Sequence, residues 1–99
     1  MHRSESFDER VSKKIQQSRD YGQGFLLTLM EDDDGLSVED ALRIVIQTMG
    51  VTEFSRFIGV KPPTVMAFVK KTRNLKPETL NNYLRPFGLK TEIIVKKVS

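Results

Sequence analysis

Apolar residues recur every three or four positions along most of the chain, and this spacing places them on one face of an α-helix. The clearest example lies between Ser37, a suitable N-cap, and Gly50, a suitable stop signal. Its apolar stripe consists of Val38, Ala41, Leu42, Val45 and Met49. The pattern predicts one amphipathic helix between Ser37 and Gly50.

Two further helices are predicted before this one. In the first, Ser6 and Glu9 have the spacing of a capping box. Its apolar face would consist of Phe7, Val11 and Ile15. The second covers the apolar residues 25–30, and Gly22 and Gly24 weaken its start because glycine disfavours helix.

A short helix, a turn and another helix are predicted after Gly50, which is the order of a helix-turn-helix motif. Thr52 would cap the short helix, and Gly59 would end it because glycine tolerates a positive φ. Ser55 is small enough for two helices to cross closely. The next helix would run over about 62–71, with proline in its first turn. The apolar residues that hold the motif on the core would be Phe54, Ile58, Val60, Val65 and Phe68.

The C-terminal part is predicted to hold one more helix and a strand. Within residues 75–88, one apolar face would consist of Leu80, Tyr83, Leu84 and Phe87, and Pro86 should distort the last turn. Residues 89–99 are rich in β-branched side chains and suggest a short strand. Because a single strand is not stable alone, it would pair with a second copy or a partner's sheet, or remain irregular.

Composition narrows the possible functions. The chain has 99 residues, 38% of them hydrophobic, which suits one modest core. It has no cysteine, which excludes disulfides and thiolate metal sites. Its single histidine, His2, cannot form a metal site or a catalytic triad alone. No apolar run is long enough to span a membrane. We expect a soluble, intracellular protein that is not an enzyme and has no cofactor, metal or small-molecule substrate.

Charge is distributed unevenly along the chain. Residues 1–36 contain five Lys/Arg and eight Asp/Glu, whereas residues 37–99 contain eleven and five. The basic part favours a polyanion such as nucleic acid, and the acidic part suggests a different partner. The alternative is that these charges only keep the surface soluble.

Residues 49–93 resemble the helix-turn-helix of small addiction-module antidote proteins, a branch of the lambda-repressor-like (Xre/HigA-like) group. The matching positions are Thr52, Gly59, Val60, Asn74, Thr79, Leu80, Gly88 and Leu89. The resemblance implies an all-α fold of about five or six short helices with a short C-terminal strand. We divide the chain into a helical extension (1–36), a helix-turn-helix domain (37–88) and a tail (89–99).

The resemblance also implies a function. Such antitoxins neutralise a RelE/ParE-like toxin by direct binding and, as homodimers, repress their own operon in the bacterial cytoplasm. Because such toxins are usually basic, the acidic residues are candidate toxin-binding residues: Glu31, Asp32, Asp33 and Asp34. A solvated loop is the alternative. Two other functions stay open, a stand-alone Xre-type repressor and a protein-interaction module whose helix-turn-helix does not read DNA.

The candidate DNA-binding residues fall into three groups. The positions that resemble base-contacting ones are Pro62, Pro63, Met66 and Ala67, with Lys61 and Thr64 as polar neighbours. None of the first four makes the bidentate hydrogen bonds that distinguish bases best. The candidate phosphate contacts on or after this helix are Lys70, Lys71 and Arg73. The candidates on the preceding helix are Thr52 and Arg56.

Overall fold

Six α-helices and one 3₁₀ helix make up the regular structure of the described residues. The computed structural model describes residues 6–31, 35–70 and 75–91. In chain order the helices are α1 (Phe7–Gln17), α2 (Arg19–Glu31), α3 (Val38–Met49), α4 (Val51–Ile58), α5 (Pro62–Val69), α6 (Pro77–Leu84) and the 3₁₀ helix (Arg85–Phe87). The all-α class predicted from the apolar periodicity is confirmed for this part of the chain.

Serine side chains cap the first three helices. The Ser6 hydroxyl accepts a hydrogen bond from the Glu9 N–H at 3.1 Å, and the Ser37 hydroxyl accepts one from the Asp40 N–H at 3.1 Å. Both caps were predicted, and each satisfies a backbone donor that has no partner within the helix. The hydroxyl of Ser18 does the same at the start of α2.

The first three helices pack on one another, and α2 also contacts the 3₁₀ helix. Val11 and Ile15 of α1 are buried, as predicted. Phe7 has the helical spacing that places it on the same face, but 71% of it is exposed, so it adds nothing to the core. Phe7 is the first residue of the helix, about one turn before Val11, the first buried residue of α1.

Close packing requires glycine at position 22. The sequence pattern had indicated only that Gly22 would weaken the start of the helix. A Cβ atom at Gly22 would lie 3.1 Å from the Phe87 ring and 3.3 Å from Ile15. Helix α2 therefore needs a residue without a side chain where it crosses the 3₁₀ helix. The Gln23 side chain next to it donates a hydrogen bond to the Phe87 carbonyl at 3.1 Å.

Three aromatic rings pack together where α4, α5 and α6 meet. The Tyr83 ring of α6 lies 5.9 Å from the ring of Phe54 on α4 and 5.6 Å from the ring of Phe68 on α5. All three side chains are fully buried. The Tyr83 hydroxyl forms no hydrogen bond with a described residue, and burial raises the pKa of this phenol above its ordinary value of 10.0.

The chain leaves the core after the 3₁₀ helix. Pro86 lies within that helix, so the predicted distortion of the last α-helical turn is confirmed. The Asn81 side-chain oxygen accepts hydrogen bonds from the Thr91 N–H at 2.7 Å and from the Thr91 hydroxyl at 3.0 Å. Residues 89–91 form no helix or strand, and 92–99 lie outside the described residues, so the C-terminal strand stays a prediction.

Across residues 6–31, 35–70 and 75–91, no helix combines the length and the apolar character required to cross a membrane.

Alanine substitutions at two glycines of α2 should have opposite effects on stability. Gly22→Ala forces Phe87 and Ile15 to move, so we expect a loss of about 1–3 kcal/mol in the free energy of unfolding. Gly24 is exposed and has open space at its Cβ position, so Gly24→Ala should gain up to about 1 kcal/mol. Urea unfolding followed by circular dichroism measures both. Equal changes in the two variants would contradict the close packing at Gly22.

Tyr83 should make stability fall at alkaline pH. As the pH rises above about 10, the unfolded chain releases the phenolic proton while the buried phenol keeps it, so folding becomes less favourable. Tyr83→Phe removes this ionisation and a buried hydroxyl without a described partner. We expect the variant to be as stable as the parent or about 1 kcal/mol more stable at pH 7. Thermal melts between about pH 9 and pH 11 should show a shallower decline for the variant, and parallel declines would contradict the assignment.

Candidate nucleic-acid interface

The turn between α4 and α5 has the geometry that the sequence predicted. Gly59 adopts the left-handed conformation, with φ at 76°, and ends α4. The N–H groups of Gly59 and Val60 both donate to the Ser55 carbonyl, at 2.8 and 3.0 Å. Only a residue that tolerates positive φ closes a helix in this way without strain. The turn therefore fixes the direction in which the chain enters α5.

Small and apolar residues hold the two helices together, as predicted. Ser55 is 3% exposed, and no described residue pairs with its hydroxyl. Phe54, Val65 and Phe68 are fully buried. The two other predicted contacts, Ile58 and Val60, are only partly buried at the edge of the core. The inward side of α4 and α5 is thus occupied by packing.

Thr52 does not cap α4, so this prediction is wrong. The helix begins one residue earlier, at Val51, with Gly50 at the N-cap position and no side-chain cap. Gly50 has φ at 88° and lets α4 follow α3 after a single residue. Thr52 is consequently the second residue of the helix, where its exposed side chain is available for other contacts.

A buried arginine, which the sequence pattern did not predict, holds the end of α5. Arg43 of α3 is 9% exposed, and its Nε donates to the Phe68 carbonyl at 2.9 Å. Its Nη1 donates to Asp40 Oδ1 at 3.0 Å, and its guanidinium carbon lies 4.3 Å from the centroid of the Phe68 ring. A cation at the last carbonyls of a helix is favourable because it complements the helix dipole. Ile46, a buried apolar residue three positions later, indicates that this face of α3 is buried but does not identify the Phe68 carbonyl as the partner.

The outward side of α5 consists mainly of the residues predicted to meet DNA. The exposed ones are Lys61, Pro62, Pro63, Thr64, Met66 and Lys70. Ala67 is only partly exposed. The helix ends at Val69, two residues before the predicted end, so Lys70 is its C-cap residue. Lys71 and Arg73, two of the predicted phosphate contacts, lie outside the described residues.

The candidates on α4 lie near the start of α5. A surface depression of about 360 Å³ brings together Thr52, Arg56, Lys61 and Pro62. Arg56 is 71% exposed at its side chain and pairs with Glu53 at 3.3 Å. An exposed pair of this kind is weak, so the guanidinium is able to exchange Glu53 for another anion.

The surface around α5 carries positive charge from a segment without acidic residues. Residues 54–77 contain six Lys or Arg and no Asp or Glu. Of these, Arg56, Lys61, Lys70 and Lys76 are described and exposed. The described residues contain no group of three or more His, Cys, Asp or Glu able to hold a metal ion. Phosphate is the ligand that this electrostatic environment favours.

The acidic candidates are separate from this surface in the sequence. Glu31 is exposed and is the last residue of α2. Asp32, Asp33 and Asp34 lie outside the described residues.

Comparisons of the chain with protein families, with characterised proteins and with solved structures found no match.

Arg43 should contribute far more to stability than Arg56, although each pairs with a carboxylate three residues before it. Arg43→Met leaves the Phe68 carbonyl without its charged donor, so we expect a loss of about 1.5–3 kcal/mol in the free energy of unfolding. Arg56→Met breaks an exposed pair and should cost less than about 1 kcal/mol. Chemical denaturation of both variants provides the comparison. Similar losses would show that Arg43 does not hold α5.

Proposed function

We propose that this chain is a DNA-binding antitoxin of a type II toxin-antitoxin system. It would bind the operator of its own operon as a homodimer and neutralise a RelE/ParE-like toxin by direct contact. The observation that carries the proposal is the outward side of α5, which is exposed and flanked by Lys61 and Lys70 within a segment free of acidic residues.

The arrangement of α3, α4 and α5 supports the DNA-binding half of the proposal. A short α4, a turn through a left-handed glycine and an α5 with one packed and one open side are features expected of a helix-turn-helix. In that motif the second helix enters the major groove. Lys61 and Lys70 lie at the two ends of α5. Cations at both ends of such a helix are suited to phosphates on the two sides of the groove.

Charge supports the toxin-binding half. The acidic run 31–34 begins at an exposed residue, Glu31, and residues 1–36 carry an excess of negative charge. A basic toxin would be attracted to this end of the chain while the basic part remains available for DNA. The proposed antitoxin would act in the bacterial cytoplasm, together with its operator DNA and its toxin.

One observation favours a second function, a protein-interaction module that does not read DNA. Pro62, Pro63 and Met66 expose apolar surface at the positions where base-reading side chains would be expected. Such a surface also suits an apolar protein partner.

A stand-alone repressor is distinguished from an antitoxin by co-purification with the product of the neighbouring gene.

Fluorescence anisotropy with a duplex from the region upstream of the gene tests the DNA-binding half. We expect tighter binding to this duplex than to a scrambled one at about 150 mM salt. Lys61→Ala and Lys70→Ala should each weaken binding to both duplexes and reduce the slope of log K against log salt by about one.

Lys14→Ala is the matched control, because Lys14 lies on α1 over the ring of Tyr21. It should leave the salt slope unchanged. Equal affinity of the parent protein for the upstream and scrambled duplexes would reject operator recognition.

A further inference from the structure

We infer that α5 recognises DNA through the C5-methyl groups of thymine rather than through hydrogen bonds to base edges. This inference rests on the proposed DNA-binding function and identifies what the helix reads. It is based on two observations. The exposed side chains at the centre of the outward side of α5 are apolar, and the first turn of α5 has no free backbone N–H group.

The exposed centre of this surface is apolar. Pro62 and Pro63 are exposed, and Met66, at 38%, is one of two exposed large hydrophobic residues in the described parts of the chain. Residues three and four positions apart are neighbours on a helix, so Met66 adjoins both prolines. In the major groove, the chemical group that complements apolar side chains is the thymine methyl.

The first turn of α5 offers no free backbone donor. Pro62 and Pro63 have no N–H, and the N–H groups of Thr64 and Val65 both donate to the Lys61 carbonyl, at 3.0 and 3.3 Å. Most helices present several unpaired N–H groups here and bind phosphate with them. This helix start contributes no such bond, which leaves the Thr64 hydroxyl as the hydrogen-bonding group of its first turn that faces solvent.

The dimensions of the apolar surface suit neighbouring methyl groups. Pro62 and Met66 are four residues apart, which is about 6 Å along the helix axis. Successive base pairs are about 3.4 Å apart, so the surface spans roughly two base-pair steps. A short run of thymines, or thymines two pairs apart, would place methyl groups against both ends of it.

The positive charge at both ends of α5 favours DNA over an apolar protein as the partner. Lys61 and Lys70 are exposed at the two ends of α5, and no acidic residue occurs between positions 54 and 77. An apolar protein surface would leave these cations without counter-charges. A major groove provides methyl groups at its floor and phosphates along both edges.

Replacing thymine by deoxyuridine tests this inference because only the C5-methyl group is lost. The probes are the upstream duplex made with thymine and the same duplex made with deoxyuridine, titrated with the full-length protein. We expect the dissociation constant to rise by roughly fourfold for each methyl group contacted, the factor for one buried CH₂ group.

Two variants identify the contacting surface. Met66→Ala should bring the ratio of the two dissociation constants closer to one, and a thermal melt confirms that this partly exposed position tolerates the change. Lys70→Ala should weaken binding to both duplexes equally and leave the ratio unchanged, because a phosphate contact is insensitive to the base.

The titrations distinguish a failure of methyl recognition from a failure of the proposed DNA-binding function. Specific binding with equal affinity for the two duplexes overturns methyl recognition and leaves the proposed function intact. The absence of specific binding to the thymine duplex rejects the DNA-binding function and methyl recognition together. A ratio that Met66→Ala does not change also overturns the inference, because Met66 is the large apolar side chain that the inference places against the methyl groups.

Discussion

The hydrogen bond from Arg43 to the Phe68 carbonyl is the constraint on which the proposed interface depends. Helix α5 has only eight residues, too few to be stable in water alone, so its position is set by tertiary contacts. Arg43 binds the end of α5 to α3, while Val65 and Phe68 pack its inner side into the core. Desolvating a guanidinium for this purpose is costly, and Asp40 and the Phe68 ring offset that cost.

Two remote parts of the chain complete the same core. Gly22 allows α2 to approach Phe87, and Gln23 binds the Phe87 carbonyl, so the N-terminal helices are joined to the end of the last helix. Tyr83 contacts α4 and α5 through its ring. Packed side chains thus connect the N-terminal helices to α4 and α5 by way of the 3₁₀ helix and α6.

Local signals in the sequence were enough to predict most helices but not their mutual contacts. The caps at Ser6 and Ser37 and the glycine turn at Gly59 depend on neighbouring residues, so they were predictable. Thr52 was misassigned because Gly50, already used as a stop, also serves as the next N-cap. The role of Arg43 depends on a carbonyl 25 residues away, which no local pattern records. The inward side chains of α5, Val65 and Phe68, were predictable because helical periodicity separates the two sides of a helix. Pro62, Pro63 and Met66 were identified through the family resemblance, and the structure exposes them.

The two prolines of α5 also affect the entropy of any complex that this surface forms. A lysine or arginine loses much rotational freedom when it is ordered at an interface, whereas a proline ring has almost none to lose. Pro62 and Pro63 additionally fix the backbone at the helix start. The proline part of the surface is thus ordered before any partner binds, so a complex would lose little conformational entropy there.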